Sequence, residues 1–180
     1  MKFVWMLLAM SIAPPAQADT QFWEYKDWRV VVEAFDTGED WRVNCTAATG
    51  GDGDPSLSIS ASNGDAGPPD LYPQPTVQEH AIRGYDTMMQ DGNRVLFEID
   101  NGWSTEGFVN RWLDEDGFAH ATATAHQGDS LSMLQSMREA STMFITLDGE
   151  VVYEASLSGF TAAYGKIAEQ CGFSAVGVID

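Results

Sequence analysis

The sequence predicts a mainly β protein: an antiparallel β-sandwich or open barrel with one short helix and a C-terminal helix packed on the sheet. Three observations predict this class. Many short segments alternate apolar and polar residues with the period of two that is typical of half-buried strands. Clusters of Gly, Asp, Asn and Pro separate these segments, as turns between strands require. Only two segments have helical spacing, and they do not alternate with the strands, which argues against a parallel sheet.

The first two predicted strands form a hairpin. Residues 19–27 are a polar and aromatic lead-in, whereas residues 28–35 are rich in Val and residues 41–47 alternate apolar with polar side chains. The turn-forming residues 36–40 connect the two strands. The alternation in the second strand predicts that Cys45 faces inward.

The middle of the chain predicts further strands of uneven clarity. Residues 65–75 contain four prolines and predict an irregular surface connection. Residues 108–113 are short and ambiguous. The other segments of this region predict strands at residues 57–61, 76–83, 95–99 and 118–126.

The predicted strand at residues 118–126 has one face made only of alanine. Its other face carries His120, Thr122, Thr124 and His126. Because alanine leaves space above a sheet and protein interiors are closely packed, this face predicts that a bulky element lies against it.

The first predicted helix and a second hairpin follow. Residues 131–140 place apolar side chains at helical spacing, and Asp129 and Ser130 precede them as predicted N-capping residues. The dipeptide at residues 148–149, Asp-Gly, lies between two apolar runs and is typical of a β-hairpin turn.

The last element is a helix over residues 160–171, whose apolar residues form one stripe. Ser158 is its predicted cap, and Gly172 follows where a helix end favours a positive φ. The sequence therefore predicts seven to nine strands and two helices, without an internal repeat.

Residues 1–18 are predicted to be a secretory signal peptide. Lys2 is followed by an apolar run that is shorter than the ~20 residues of a membrane span. Residues 16–18, Ala-Gln-Ala, place small residues at both positions that signal peptidase recognises. We therefore expect an exported, periplasmic or secreted protein that consists of residues 19–180 as a single β-sandwich domain, without stable membrane insertion after cleavage.

The chain is strongly acidic. It carries 27 acidic and 9 basic residues, a net charge of −18, and loss of Lys2 with the signal peptide would leave 8 basic residues and a charge of −19. A field of this sign repels nucleic acid, so no nucleic-acid partner is expected. It favours a cationic envelope protein as partner, or it simply keeps the protein in solution. The sequence does not fix the oligomeric state.

The two cysteines, Cys45 and Cys171, both lie in the predicted exported part. Disulfides persist in oxidising compartments, so the pair is predicted to form one bridge between the early hairpin and the last helix. The chain-entropy model gives an upper stabilisation of ~5 kcal/mol for so long a loop.

Residues 128–132, Gly-Asp-Ser-Leu-Ser, spell the nucleophile block of GDSL-type esterases. In that family the catalytic His lies close to the C-terminus, whereas here no histidine follows His126. A serine hydroxyl is a weak nucleophile without an adjacent base. The preferred interpretation is a helix cap, and a degenerate serine hydrolase that uses Ser130 is the enzymatic alternative. No catalytic residue, cofactor or metal site is predicted.

The histidines do not predict a metal site. His120 and His126 share a strand face, but six residues separate them by about 20 Å, too far to bind one ion. His80 has no partner at a suitable sequence spacing.

Five tryptophans lie beyond the predicted signal peptide. Trp28 and Trp41 are interpreted as core or edge anchors of the first hairpin. Trp103 and Trp112 lie beside turn residues and charges and are predicted to be the exposed pair. Because exposed aromatic residues mark interaction sites, these two are the candidate binding surface.

The segment at residues 155–164, Ala-Ser-Leu-Ser-Gly-Phe-Thr-Ala-Ala-Tyr, resembles the end of invasion-associated locus B-type periplasmic proteins. Trp41, Val43 and Cys45 are similar to the early tryptophan strand and cysteine of that family. The resemblance implies a small exported β-sandwich without known catalytic residues, which acts at the envelope or in host contact. We therefore expect a non-enzymatic exported binding or accessory protein; the alternatives are the Ser130 hydrolase and an acidic inhibitor or chaperone of a cationic envelope protein.

Overall fold

The computed structural model describes residues 19–53 and 55–179, so the predicted signal peptide lies outside the described residues. It confirms the predicted class, a mainly antiparallel β fold with a short helix and a C-terminal helix packed on the sheet. Strands β1 to β10 are Asp19–Tyr25, Trp28–Asp36, Trp41–Gly50, Ser56–Ser62, Thr76–Ala81, Arg94–Ile99, Ser104–Leu113, Ala119–Ala125, Thr142–Leu147 and Glu150–Ser156. Helices α1 and α2 are Ser130–Glu139 and Phe160–Cys171, and a short 3-10 helix, Gln127–Asp129, leads into α1.

The ten strands form one open sheet in the order β1-β2-β3-β4-β5-β8-β7-β6-β9-β10, and every neighbouring pair is antiparallel. Most neighbours are also consecutive in sequence. The exceptions are β5 with β8 and β6 with β9. The segment at residues 82–93 therefore has to cross the ends of β8 and β7 before β6 begins, and its backbone is hydrogen-bonded to Val109 of β7 on the way.

Two strands differ from the sequence prediction. The predicted lead-in at residues 19–27 contains a strand: Asp19–Tyr25 is β1, which pairs along its whole length with β2. A two-residue turn joins them, and its Lys26 has a φ of 55°. The ambiguous segment 108–113 belongs to the ten-residue strand β7. Both strands were hard to predict because their outward side chains are exposed and their apolar alternation is weak.

The C-terminal helix packs on β2, β3 and β4, and the predicted disulfide joins it to them. Cys45 lies in the middle of β3 and is completely buried, and Cys171 is the last residue of α2. Their sulfurs are 2.03 Å apart and their Cα atoms 6.1 Å. Trp28 is buried at the other end of α2, with its ring edge-to-face on Phe160 at 5.4 Å. Its indole N–H donates to the carbonyl of Ser156 at 2.9 Å, which ties the start of β2 to the end of β10.

Gly159 occupies a position that no other residue fits well. It precedes α2 with a φ of 103°, and a Cβ there would lie 1.8 Å from the carbonyl oxygen of Tyr25. The close approach lets the amide of Asp27 donate to the carbonyl of Ser158 at 3.2 Å. The β1–β2 turn is thereby fixed against the start of α2.

The helix termini differ in part from prediction. Gly172 ends α2 with the predicted positive φ, here 73°. Ser158 does not cap α2, because Gly159 occupies the N-cap position and no side-chain cap bond forms. Ser130 is the first residue of α1, not its cap, and Asp129 at the N-cap makes no capping bond either. The Asp129 carboxylate instead accepts from the hydroxyl of Thr105 on β7 at 2.6 Å, so a tertiary contact replaces the predicted local one.

The alanine face of β8 is buried, as the alternation predicted. All four of its alanines are at most 1% exposed, and Ala121, Ala123 and Ala125 belong to the same buried cluster as the apolar side of α1. That side of α1 consists of Met133, Leu134 and Met137. The polar residues of β8 consequently face the other side of the sheet.

Candidate functional site

The outer face of β5, β8 and β7 is the part of the molecule where polar and aromatic side chains converge. We call it the β5–β8–β7 face. Because Ala, Val and Gly residues of these strands point into the core, the alternate residues point outward. The pairing registers place them in three rows across the strands. The rows are His80–His120–Trp112, Gln78–Thr122–Asn110 and Thr76–Thr124–Phe108.

The first row brings two histidines into contact. His80 and His120 lie directly opposite each other, and their Nδ1 atoms are 2.6 Å apart. The two rings meet edge-to-face, with centroids 4.8 Å apart. On the other side, Trp112 stacks on His120 with centroids 5.3 Å apart and planes within 11°. His120 is therefore held between two aromatic rings.

Asp114 fixes the far side of the His120 ring. Its Oδ2 lies 2.9 Å from His120 Nε2. Its Oδ1 accepts from the amides of Asp116 and Phe118, at 3.0 and 2.9 Å, in the turn between β7 and β8. The hydrogen bond from His120, followed by that from the Phe118 amide, lowers the pKa of Asp114 below its usual value. The carboxylate is thus anionic at neutral pH and accepts a hydrogen bond from His120 Nε2–H.

The His80 ring is held towards its neutral form. Desolvation lowers its pKa below the ordinary value, and repulsion from His120 adds to this, while the charge of Glu79 opposes it. Glu79 itself faces inward, where its two oxygens accept from the amides of Met88 and Met89 at 2.7 and 3.0 Å. The inward acid therefore anchors the crossing segment 82–93 beneath the end of β5.

Exposed apolar side chains lie at the end of the sheet that carries this row. They come from the crossing segment, from the end of β7 and from the β7–β8 turn, which meet there because Ala81 and Leu113 both pair with Ala119. Leu113 pairs with the inward-facing Ala119, so it points to the opposite side of the sheet from Trp112. Trp112 and Leu113 are 43% and 59% exposed. The complete group is Ile82, Tyr85, Met88, Trp112, Leu113 and Phe118, which we call the apolar rim.

Acidic residues outnumber basic ones around the apolar rim. Residues 82–93 and 111–118 contain five acids and two arginines. Arg111 is 2.6 Å from Asp86 and lowers the pKa of that carboxyl through its hydrogen bond. Arg83 lies 3.7 Å from Asp116 and over the ring of Phe118. Because five acids face two arginines, the net charge of this region is negative.

The two tryptophans of the predicted binding surface lie at opposite ends of β7. Trp112 is exposed and belongs to the apolar rim, whereas Trp103 is partly buried and packs against the core. Nine residues of strand separate them by about 30 Å, so they do not share a surface. Trp41, predicted as an anchor, is 54% exposed, and Trp28 is the buried anchor of the first hairpin.

The residues of the esterase-like motif do not form an accessible nucleophile. Ser130 is 1% exposed, and its hydroxyl lies 3.4 Å from the side-chain nitrogen of Gln127. His126 uses its Nδ1 to accept from the amide of Gly128. The serine hydroxyl therefore has an amide group, not an imidazole, as its hydrogen-bond partner.

A cavity of about 530 Å³ lies elsewhere, between the end of β4, the proline-rich segment and the residues after α2. Gln74 and Gln127 line it, but their amides donate to the carbonyls of Ala125 and Tyr72 and so hold the segment in place. Ser62 also lines it, with a hydroxyl that has no hydrogen-bond partner among the described residues. The cavity lacks the convergent titratable groups that the β5–β8–β7 face has.

Sequence reasoning missed His80 and Asp114 as members of the site. Asp114 had a local signal, because the Asp-Glu-Asp-Gly turn at residues 114–117 sets a hairpin register that places Trp112 opposite His120. The contact between His80 and His120 had none. It depends on β5 pairing with β8, two strands that are separated by β6 and β7 in the sequence.

No family model, curated protein or solved structure matches the chain. Within residues 19–53 and 55–179, no helix is long and apolar enough to span a membrane. The same described residues contain no group of three or more His, Cys, Asp or Glu side chains that converge on one ion position.

Proposed function

We propose that this chain is an exported, non-enzymatic binding or accessory protein of the bacterial periplasm or cell surface, and that it binds a cationic envelope protein through the apolar rim. The observation that carries the proposal is the presence of six large, exposed apolar side chains at one end of the sheet, where the crossing segment, the end of β7 and the β7–β8 turn meet. Exposed apolar side chains that are grouped and not scattered singly are typical of interaction sites.

The charge around the rim supports a partner with Lys or Arg beside its own apolar contacts. The acids of the β7–β8 turn and of the crossing segment exceed the arginines, and the whole chain has a net charge of −18. Such fields accelerate association with a basic protein and disfavour acidic ones. Trp112 would be the central anchor, since tryptophan is enriched among residues that dominate binding energy.

The compartment and the family belong to the same proposal. The formed Cys45–Cys171 bridge is typical of an oxidising environment, and the predicted signal peptide agrees with export. The resemblance of residues 155–164 to invasion-associated locus B-type proteins supports an accessory role at the envelope. That segment forms the end of β10, the Gly159 turn and the start of α2, so it contributes to the core and not to the rim.

The test is capture from a periplasmic extract of the source organism with the oxidised residues 19–180 as bait. The test variant is Trp112→Ala with Phe118→Ala, and the matched control is Trp41→Ala, another exposed tryptophan. Trp41 lies beyond the Ser62 end of β4, and His80 lies beyond its Ser56 end. The control residue is therefore at the opposite end of the strands from the apolar rim.

We expect wild type and the control to retain the same basic protein, the double variant to lose it, and salt of ~0.5 M to release it by screening. Capture of an acidic protein, equal retention by the double variant, or no retained protein would overturn the proposed surface. Turnover of an ester substrate that Ser130→Ala abolishes would overturn the non-enzymatic assignment.

A further inference from the structure

The contact between His80 and His120 leaves two imidazole nitrogens facing each other on the surface. Their Nδ1 atoms are 2.6 Å apart, and the residues are directly opposite in the β5–β8 pairing. Two nitrogen lone pairs repel at such a distance unless a proton or a metal ion lies between them. What occupies that position depends on how each ring is held.

The proton position on His120 follows from its neighbours. Asp114 is an anionic acceptor at Nε2, so Nε2 carries the proton of the neutral ring and Nδ1 presents its lone pair to His80. Trp112 stacks on the ring and holds its plane. A histidine whose second nitrogen donates to a carboxylate has the arrangement that orients imidazole ligands towards metal ions in proteins.

His80 can adjust to an ion because its side chain is at the surface. Metal–nitrogen distances are about 2.0–2.1 Å, which places two imidazole nitrogens on one tetrahedral ion roughly 3.3 Å apart. The rings would therefore have to separate by less than ~1 Å. Rotation of the exposed His80 side chain supplies this shift without moving His120, which Asp114 and Trp112 hold.

We propose that His80 and His120 bind one divalent transition-metal ion through their Nδ1 atoms, Cu²⁺ more tightly than Zn²⁺, with Asp114 as the hydrogen-bonded partner that orients His120. Imidazole suits both ions, and Cu²⁺ binds nitrogen ligands more tightly than Zn²⁺ does. No other His, Cys, Asp or Glu of the described residues converges on this position, so solvent or a partner protein completes the coordination. The proposal does not depend on the identity of the proposed protein partner.

The acidic surface contributes without being the site. Its field raises the local concentration of cations near the β5–β8–β7 face. Asp114 does not act as a ligand, because its two oxygens are occupied by His120 and by the amides of the β7–β8 turn. The two imidazoles therefore supply the specificity.

The experiment is calorimetric titration of the oxidised residues 19–180 with CuCl₂ and with ZnCl₂, for wild type and four variants. We expect one Cu²⁺ per chain, and weaker binding of Zn²⁺. Asp114→Asn should lower the Cu²⁺ affinity about ten- to hundredfold, as is typical when a residue that hydrogen-bonds a metal ligand is replaced. His80→Ala and His120→Ala should each lower the Cu²⁺ affinity more than that. His126→Ala is the matched control, since His126 is the third histidine and directly follows β8; the Cu²⁺ affinity of this variant should be unchanged.

Circular dichroism and melting without metal show whether each variant is folded. His80→Ala is the decisive variant, because the His80 side chain is exposed and is not part of the buried cluster. Electron paramagnetic resonance of the Cu²⁺ complex should show two nitrogen ligands in wild type and fewer in folded His80→Ala. Equal Cu²⁺ affinity in His80→Ala and wild type, an equal loss in His126→Ala, or no Cu²⁺ binding by wild type would overturn the proposal.

Discussion

The α2 side of the molecule and the β5–β8–β7 face differ in how they are built. On the α2 side, buried side chains from β2, β3 and α2 surround one disulfide, and the Trp28 indole is hydrogen-bonded to backbone. On the β5–β8–β7 face, polar and aromatic side chains are in contact with one another while exposed or partly exposed to solvent. Burial explains the first arrangement, whereas stability alone does not explain the second. This contrast is why we assign function to the face and stability to the α2 side.

Removal of the disulfide tests the α2 side most strongly. Replacing Cys45 and Cys171 together by Ala should lower the free energy of unfolding by about 2–5 kcal/mol, because the unfolded chain loses a very long covalent loop. Denaturant unfolding of the two proteins measures the difference. A change below ~1 kcal/mol would contradict the role given to this bridge.

The close approach at Gly159 tests the same region. Gly159→Ala should lower the free energy of unfolding, measured with denaturant, by more than the ~1–3 kcal/mol that a strained positive φ costs alone. The reason is that the new Cβ would also collide with the Tyr25 carbonyl. Gly38→Ala is the matched control, since Gly38 has a φ of 84° and open space around it. Equal losses in the two variants would show that the contact between the β1–β2 turn and α2 is not tight.

The predictability of these two regions differs for a physical reason. Cys45, the Asp148-Gly149 turn and the stripe of α2 have local signals, since alternation, turn chemistry and helical spacing act over a few residues. The predicted capping roles of Ser130 and Ser158 were wrong because tertiary contacts are made at these helix starts: Thr105 donates to Asp129, and the Asp27 amide donates to the Ser158 carbonyl. The pairing of His80 with His120 has no local signal, because it depends on the path of the crossing segment 82–93.

The contact that replaces the predicted cap of α1 should have a measurable but smaller effect. Thr105→Val removes the hydroxyl that donates to the Asp129 carboxylate and should lower the free energy of unfolding by about 1.5–3 kcal/mol, as for hydrogen bonds to charged groups. Ser132→Ala is the control, because it removes an exposed hydroxyl whose only effect at this helix end is local: it donates to the carbonyl of Asp129 at 3.0 Å. A larger loss in the control would favour local capping over the contact with β7.

Truncation on the β5–β8–β7 face should affect stability least. Trp112→Ala loses a stacked ring pair on the surface, so we expect a cost of about 0.5–1.5 kcal/mol in unfolding experiments. Its effect on partner capture should be much larger than its effect on stability. If Trp112→Ala instead destabilised the protein as much as loss of the disulfide, the face would be a structural element and its functional assignment would fail.

The central claim is that non-local pairing places His80, His120 and Trp112 in one row on the outer face. Nuclear Overhauser spectroscopy of the folded, oxidised protein tests it directly, with assigned histidine and tryptophan ring protons. We predict cross-peaks from the His120 ring to both the His80 imidazole and the Trp112 indole, and none between His120 and His126. Absence of the His80–His120 cross-peak, with the Trp112–His120 cross-peak present, would show that β5 does not lie beside β8 as described and would contradict the account.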